Sequence, residues 1–132
     1  MEIKNKDRAA YIAQQHLNEL MDFHDQISNA LVVTVDGHLF AENTGNNNDI
    51  NRLASMGSSL MSLGDTITHD LLMGGCKNVI IENEKGYVVF MYINKSLVLI
   101  SVCKAAHGLG ILLSASRACA KELSDNLIKI LS

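Results

Sequence analysis

Three β-prone runs follow one another in the second half of the chain, with only two or three residues between neighbours. They are residues 76–83, 87–93 and 96–102, separated by residues 84–86 and 94–95. Strands joined by turns this short lie antiparallel, because a parallel pair needs a crossover connection of a dozen or more residues. The sequence therefore predicts an antiparallel meander and excludes a doubly wound parallel sheet.

An Asp-Gly pair marks a further pairing of strands nearer the N-terminus. Asp36 and Gly37 separate the β-prone residues 30–35 from residues 38–41. Asp-Gly between two such runs favours a type I′ hairpin turn, in which both central residues have positive φ. The segment 43–48 is polar and has no periodicity, so we expect a loop there.

Three segments have the apolar spacing of amphipathic helices, and they are residues 7–23, about 50–73 and 109–131. Asp49 or Asn48 can cap the second helix, and Gly74 and Gly75 can end it. The order of elements is then helix, two strands, helix, three strands, helix. The fold class is α+β, and we expect one domain over residues 1–132.

Charge and hydropathy exclude two kinds of partner. The net charge is −3 and the pI is near 5.9, and no cluster of Lys and Arg offers the counterion release that nucleic-acid binding depends on. No apolar run approaches the ~20 residues of a membrane span. The N-terminal segment lacks the apolar core of a signal peptide. We expect a cytoplasmic protein that has no membrane span and binds no nucleic acid.

The sequence carries no motif for enzymatic chemistry. It has no phosphate-binding loop and no nucleophile elbow or paired-histidine zinc motif. The chain has three cysteines, Cys76, Cys103 and Cys119. They are too far apart in sequence to form the Cys-x-x-Cys pair of a zinc or redox site. We expect a protein that is not an enzyme and that needs neither a metal nor a cofactor.

The second predicted helix has an unusual polar face. Its apolar residues cover about half of the circumference, which is more than one sheet contact usually needs. On the other side stand small hydroxyl residues where a solvated helix favours Lys, Glu or Arg, and they are Ser55, Ser58, Ser59, Ser62 and Thr66. A serine-rich solvated face and a protein-contact surface both explain this pattern. We favour the contact surface, since small side chains let another protein approach closely.

Four segments, in this order, resemble the Roadblock dynein-light-chain family. They are residues 30–41 (ALVVTVDGHLFA), 53–60 (LASMGSSL), 79–88 (VIIENEKGYV) and 109–112 (LGIL). The resemblance implies a five-stranded antiparallel sheet of the Roadblock/profilin-like type, with the long second helix on one face and the terminal helices on the other. It also implies a homodimer in which the third strands pair edge to edge and the second helices lie antiparallel. We place the dimer interface at Lys77, Val79, Ile81, Met56 and Leu63.

The resemblance also implies a function. Bacterial and archaeal members of the family regulate Ras-like small GTPases, some as GTPase-activating proteins, and eukaryotic members are dynein light chains or scaffolds. We therefore expect a non-catalytic dimeric regulator of a Ras-like small GTPase, and the alternative is a nucleotide-independent dimeric scaffold. We place the partner-binding surface at Arg52 and the five hydroxyl residues of the second helix. For Arg52 itself, a solvated surface arginine is a simpler interpretation than an arginine finger.

Overall fold

The computed structural model describes residues 2–44, 49–105 and 107–131. Within them, three helices and five strands follow the predicted order: α1 (Glu2–Phe23), β1 (Ile27–Thr34), β2 (Leu39–Thr44), α2 (Ile50–Asp70), β3 (Asn78–Asn83), β4 (Gly86–Tyr92), β5 (Leu97–Cys103) and α3 (Leu109–Leu131). The α+β class and the order of elements are confirmed.

The five strands form one antiparallel sheet in the order β2-β1-β5-β4-β3. The long pairing of β1 with β5 lies at its centre and places Leu31 opposite Ile100. Among the described residues, β3 pairs with β4 alone, and Ile81 lies opposite Val88 in that pairing. The third strand is therefore an edge strand, with a row of backbone N–H and C=O groups facing outward.

The two faces of the sheet carry separate apolar cores, because successive side chains of a strand point to opposite faces. Val32 and Leu99 belong to the core under α1 and α3, together with Leu123 of α3. Leu31 and Ile100 belong to the core under α2. The predicted placement of the second helix on one face and the terminal helices on the other is confirmed.

The β1–β2 turn differs from the predicted type I′ turn. Gly37 has φ 94°, but Asp36 does not have a positive φ. The Gly37 N–H donates to the Thr34 carbonyl at 2.9 Å, and the Thr34 N–H donates to the His38 carbonyl at 2.7 Å. This is a three-residue loop in which one glycine supplies the only positive φ. The hairpin prediction is confirmed, and the turn type was wrong.

Several element boundaries also differ from the predicted ones. Asn43 and Thr44 belong to β2 rather than to a loop, and residues 45–48 lie outside the described residues. Helix α1 begins five residues earlier than predicted, and α2 ends three residues earlier, at Asp70. Asp49 is confirmed as a cap, because its side chain accepts the Arg52 N–H at 3.1 Å, whereas Asn48 lies outside the described residues.

Candidate functional site on α2 and the edge strand β3

Two glycines let α2 approach the sheet closely. A Cβ atom at Gly57 would lie 2.8 Å from Ile100 Cδ1 and 3.3 Å from the Phe90 ring. A Cβ atom at Gly64 would lie 3.0 Å from Cys76 Sγ and 3.2 Å from a Val79 methyl carbon. Between these two contacts the helix advances about 10 Å, which is comparable to two strand spacings of ~4.8 Å. Helix α2 therefore crosses the strands and reaches the edge of the sheet at Gly64.

The last turns of α2 continue beyond its contact with β3 at Gly64. From Gly64 to Asp70 a straight helix advances a further 9 Å or so, which is about the width of two more strands. The large apolar side chains of this end and of the residues that follow are exposed, and they are Ile67, Leu71, Leu72 and Met73. In the described part of the chain, no further strand lies beyond β3.

An apolar flank runs along α2 on the side away from the β1–β2 and β4–β5 turns. Met56, Leu63 and Ile67 recur at helical spacing along it, and their side chains are 52%, 56% and 51% exposed. On β3, Val79 packs against Gly64, and Ile81 lies two residues further along the same face, where it is exposed. The sheet edge and the apolar flank together form one surface, which we call the edge surface.

The predicted dimer residues can now be placed on the edge surface. Met56, Leu63 and Ile81 are exposed on it, and Val79 is half-buried. Lys77 is exposed but lies just before β3, since the strand begins at Asn78 rather than at the predicted residue 76.

The opposite flank of α2 holds the hydroxyl residues, and two of them bind the β1–β2 turn. Ser55 Oγ donates to the Gly37 carbonyl at 3.4 Å, and Ser58 Oγ donates to the Val35 carbonyl. A Cβ atom at Gly37 would lie 3.4 Å from Ser55 Cα, so the turn rests directly on the helix. Small residues at these two positions thus have a role within the fold, which the sequence pattern did not reveal.

The remaining residues of the predicted partner-binding surface are open to solvent. Ser62 and Thr66 lie on this flank, whereas Arg52 and Ser59 lie on the outward side of α2, one helical turn before Met56 and Leu63 of the apolar flank. Arg52, Ser59, Ser62 and Thr66 are all exposed. The Thr66 hydroxyl donates back to the Ser62 carbonyl, at 3.1 Å, within the helix. These four side chains are therefore free to contact a partner in a way that half-buried Ser58 is not.

A groove of about 600 Å³ separates this flank from the β4–β5 turn. On its wall, one Asp65 carboxylate oxygen accepts the Cys76 N–H at 2.9 Å, and the other accepts the Tyr92 hydroxyl. Burial, together with this bond to Asp65, raises the pKa of Tyr92 to about 12. Asp65 and Tyr92 are far apart in sequence, so only the tertiary fold shows this network.

Residues of metal-binding types come together between α1 and α3. Within the described residues, ligand atoms of His16, Glu19 and Glu122 lie within 4.8 Å of one another. His16 Nδ1 is 3.4 Å from the nearer oxygen of Glu122, and the Asn126 amide nitrogen is 2.9 Å from His16 Nε2. If that amide donates to Nε2, the ring proton resides on Nδ1 and points towards the carboxylates. In that arrangement these side chains link α1 to α3 by hydrogen bonds and need no bound cation.

Sequence and structure comparisons identify the family of this architecture. The profile of the Roadblock/LC7 domain matches residues 13–102, which include β1 to β4, α2 and all of β5 except its last residue, Cys103. The chain belongs to the Roadblock/LC7 domain family. The resemblance seen in the sequence is therefore confirmed. No curated protein matches the sequence at a significant level.

Solved structures with the same fold are similar to this Roadblock domain. A Roadblock/LC7 domain from Streptomyces avermitilis is 15% identical, with a TM-score of 0.80, over 87% of this chain and 97% of the other. An MglB protein solved in a tetrameric arrangement is 15% identical, with a TM-score of 0.85, over 93% of each chain. A Schizosaccharomyces pombe profilin is 14% identical, with a TM-score of 0.63, over 83% and 94%. At these identities the likeness shows the fold alone.

The helices of the Roadblock domain were also compared with the requirements of a membrane span. Among the residues that the structure describes, no helix is both long enough and apolar enough to cross a bilayer.

Proposed function

We propose that this Roadblock domain is a non-catalytic homodimer that regulates a Ras-like small GTPase. The single observation that carries the proposal is the edge surface, where the open edge strand β3 lies beside exposed apolar side chains of α2. Contiguous exposed apolar surface of this kind marks protein–protein contacts in soluble proteins. Family membership supports the regulatory role, and the dimer and the GTPase are our inference.

A second copy of the chain fits the edge surface. An open, apolar edge strand is an aggregation hazard unless another element covers it. Two β3 strands related by a two-fold axis satisfy each other's backbone groups and extend the sheet. The partner's strand then lies near the last turns of α2, where apolar side chains are exposed in the single chain. Self-association is also seen in the MglB protein of the tetrameric arrangement.

The GTPase contact belongs on the hydroxyl flank and the outward side of α2. Ser59, Ser62 and Thr66 are small and exposed, and Arg52 stands at the start of the same helix. In the dimer the two α2 helices form one shared surface, so a partner can contact both. Regulation of Ras-like GTPases by the bacterial relatives supports this assignment. The domain itself has no phosphate-binding loop, so the nucleotide belongs to the partner.

The test is a binding titration of the domain with a Ras-like small GTPase of the same genome, loaded with GDP or with a non-hydrolysable GTP analogue. We expect binding that is tighter for one nucleotide state. Equal affinity for both states would favour the nucleotide-independent scaffold, and no binding in either state would contradict the GTPase proposal.

Matched variants locate the contact. Ser59→Arg and Ser62→Arg place long charged side chains on the exposed surface of α2 and should abolish GTPase binding, whereas Ser59→Ala should leave it unchanged. Unchanged affinity in both arginine variants would show that this part of α2 is ordinary solvated surface. Arg52→Ala separates docking from catalysis, because loss of binding indicates docking, and intact binding with slower GTP hydrolysis indicates an arginine finger.

A further inference from the structure

Leu72 has an unfavourable backbone conformation and an unfavourable environment. Its φ is 58°, and among residues 2–44, 49–105 and 107–131 it is the only non-glycine residue with positive φ. This conformation costs free energy in an L-residue, because Cβ comes too close to the following carbonyl oxygen. The side chain is 93% exposed, so packing within this chain does not offset the cost.

Hydrogen bonds hold Leu72 in this conformation. The Leu72 N–H donates to the His69 carbonyl at 3.0 Å, and the Met73 N–H donates to the Thr68 carbonyl at 2.8 Å. These two bonds define a Schellman motif, in which the residue at the position of Leu72 is usually glycine. Gly74 comes only two residues later. The chain thus places leucine at the position where glycine would be free of strain.

The location of Leu72 explains why a leucine is useful there. It follows the end of α2, and its neighbours Leu71 and Met73 are exposed as well. Strained conformations that persist in a fold concentrate at binding and functional sites. Here the strain presents an apolar side chain just past the end of α2, beside the exposed Leu71 and Met73.

We propose that Leu72 is an anchor that inserts into a second copy of this chain, against the sheet face beside the partner's edge strand. The inference rests on the proposed dimer and names the residue on which its affinity most depends. A paired second strand would lie ~4.8 Å beyond β3, and a straight helix advances about 9 Å from Gly64, which packs on β3, to its end at Asp70. Leu72 can therefore cover the α2 side of the partner's edge strand, where Ile81 is exposed in the single chain.

The decisive variants are Leu72→Gly and Leu72→Asn, which both tolerate positive φ and both remove the apolar side chain. We expect each to weaken the dimer about tenfold or more, as the loss of a central anchor does. We also expect Leu72→Gly to fold at least as well as the wild type, since the strain is gone. The control is Ile111→Ala, which truncates an exposed apolar side chain on α3 and should leave the dimer unchanged.

Sedimentation equilibrium gives the dimer dissociation constants, and circular dichroism confirms the fold of each variant. A dimeric wild type with a weaker dimer in both Leu72 variants supports the anchor. A dimeric wild type whose dissociation constant changes less than about twofold in both variants overturns the anchor and leaves the proposed dimer intact. A wild type that remains monomeric overturns the dimer and the anchor together.

Discussion

The two faces of the sheet are covered to different extents by helices. Helices α1 and α3 close one face, and the core there includes the fully buried Leu17, Leu99 and Leu123. A single helix covers the other face, and it leaves Leu63 and Ile67 exposed along its flank. The first face can therefore stabilise the isolated chain, whereas the second face needs a further protein surface to bury its apolar residues.

We expect the largest effect on the free energy of unfolding from a Leu→Ala substitution, made once on each face of the sheet. Leu123→Ala removes a fully buried side chain and should lower the free energy of unfolding by about 2–5 kcal/mol. Leu63→Ala, on the exposed flank of α2, should change it only at protein concentrations where the dimer forms. Urea unfolding over a range of protein concentrations measures both. An equally large, concentration-independent loss for Leu63→Ala would show that the two faces do not differ.

The contact between α2 and the sheet gives the next largest effect. Gly57→Ala places a Cβ 2.8 Å from Ile100 Cδ1, so the helix must move away from the sheet, at a cost of about 1–3 kcal/mol in unfolding free energy. The matched control is Gly110→Ala on α3, where no described residue outside its own helical turn comes within 4 Å of the added Cβ. Better helix propensity should add up to ~1 kcal/mol there. Thermal unfolding gives the melting temperature of each variant. If Gly57→Ala and Gly110→Ala shifted the melting temperature equally and in the same direction, the close approach of α2 to the sheet would be wrong.

The smallest effect concerns pH. Burial and the bond to Asp65 raise the pKa of Tyr92 to about 12 in the folded state, against an ordinary value near 10. Between these two values the unfolded chain releases the proton first, so the stability falls as the pH rises from about 10 to 12. Urea unfolding at several alkaline pH values should show that slope, and Tyr92→Phe should reduce it. An identical slope in Tyr92→Phe would assign the loss to other groups.

Much of the fold could be predicted because local patterns and global topology agree. The short turns after residues 83 and 93 require antiparallel neighbours, and the Asp36-Gly37 pair marks a hairpin even though its turn type was wrong. The end of α2 could not be placed from Gly74 and Gly75, because the left-handed residue is Leu72. Glycine is the usual sequence signal for such an end, and here the signal lies two residues too late.

The candidate site was predictable only in part. The excess apolar width of α2 correctly indicated side chains that its own sheet does not bury, such as Met56 and Leu63. The serine pattern did not separate Ser58, which binds the β1–β2 turn, from Ser59, which is exposed. Hydrogen bonds between residues distant in sequence depend on the tertiary fold, and so helical periodicity could not assign them.

The central claim is that a second copy of the chain covers the edge surface. Light scattering after size-exclusion chromatography, from low to high micromolar concentration, tests it most directly, with Ile81→Lys as the matched variant. A charged side chain on this face of β3 would be buried against the partner strand. The account predicts a wild-type mass of twice the 14.4 kDa chain and a monomeric mass for Ile81→Lys at the same concentrations. A wild type of 14.4 kDa at every concentration would contradict it.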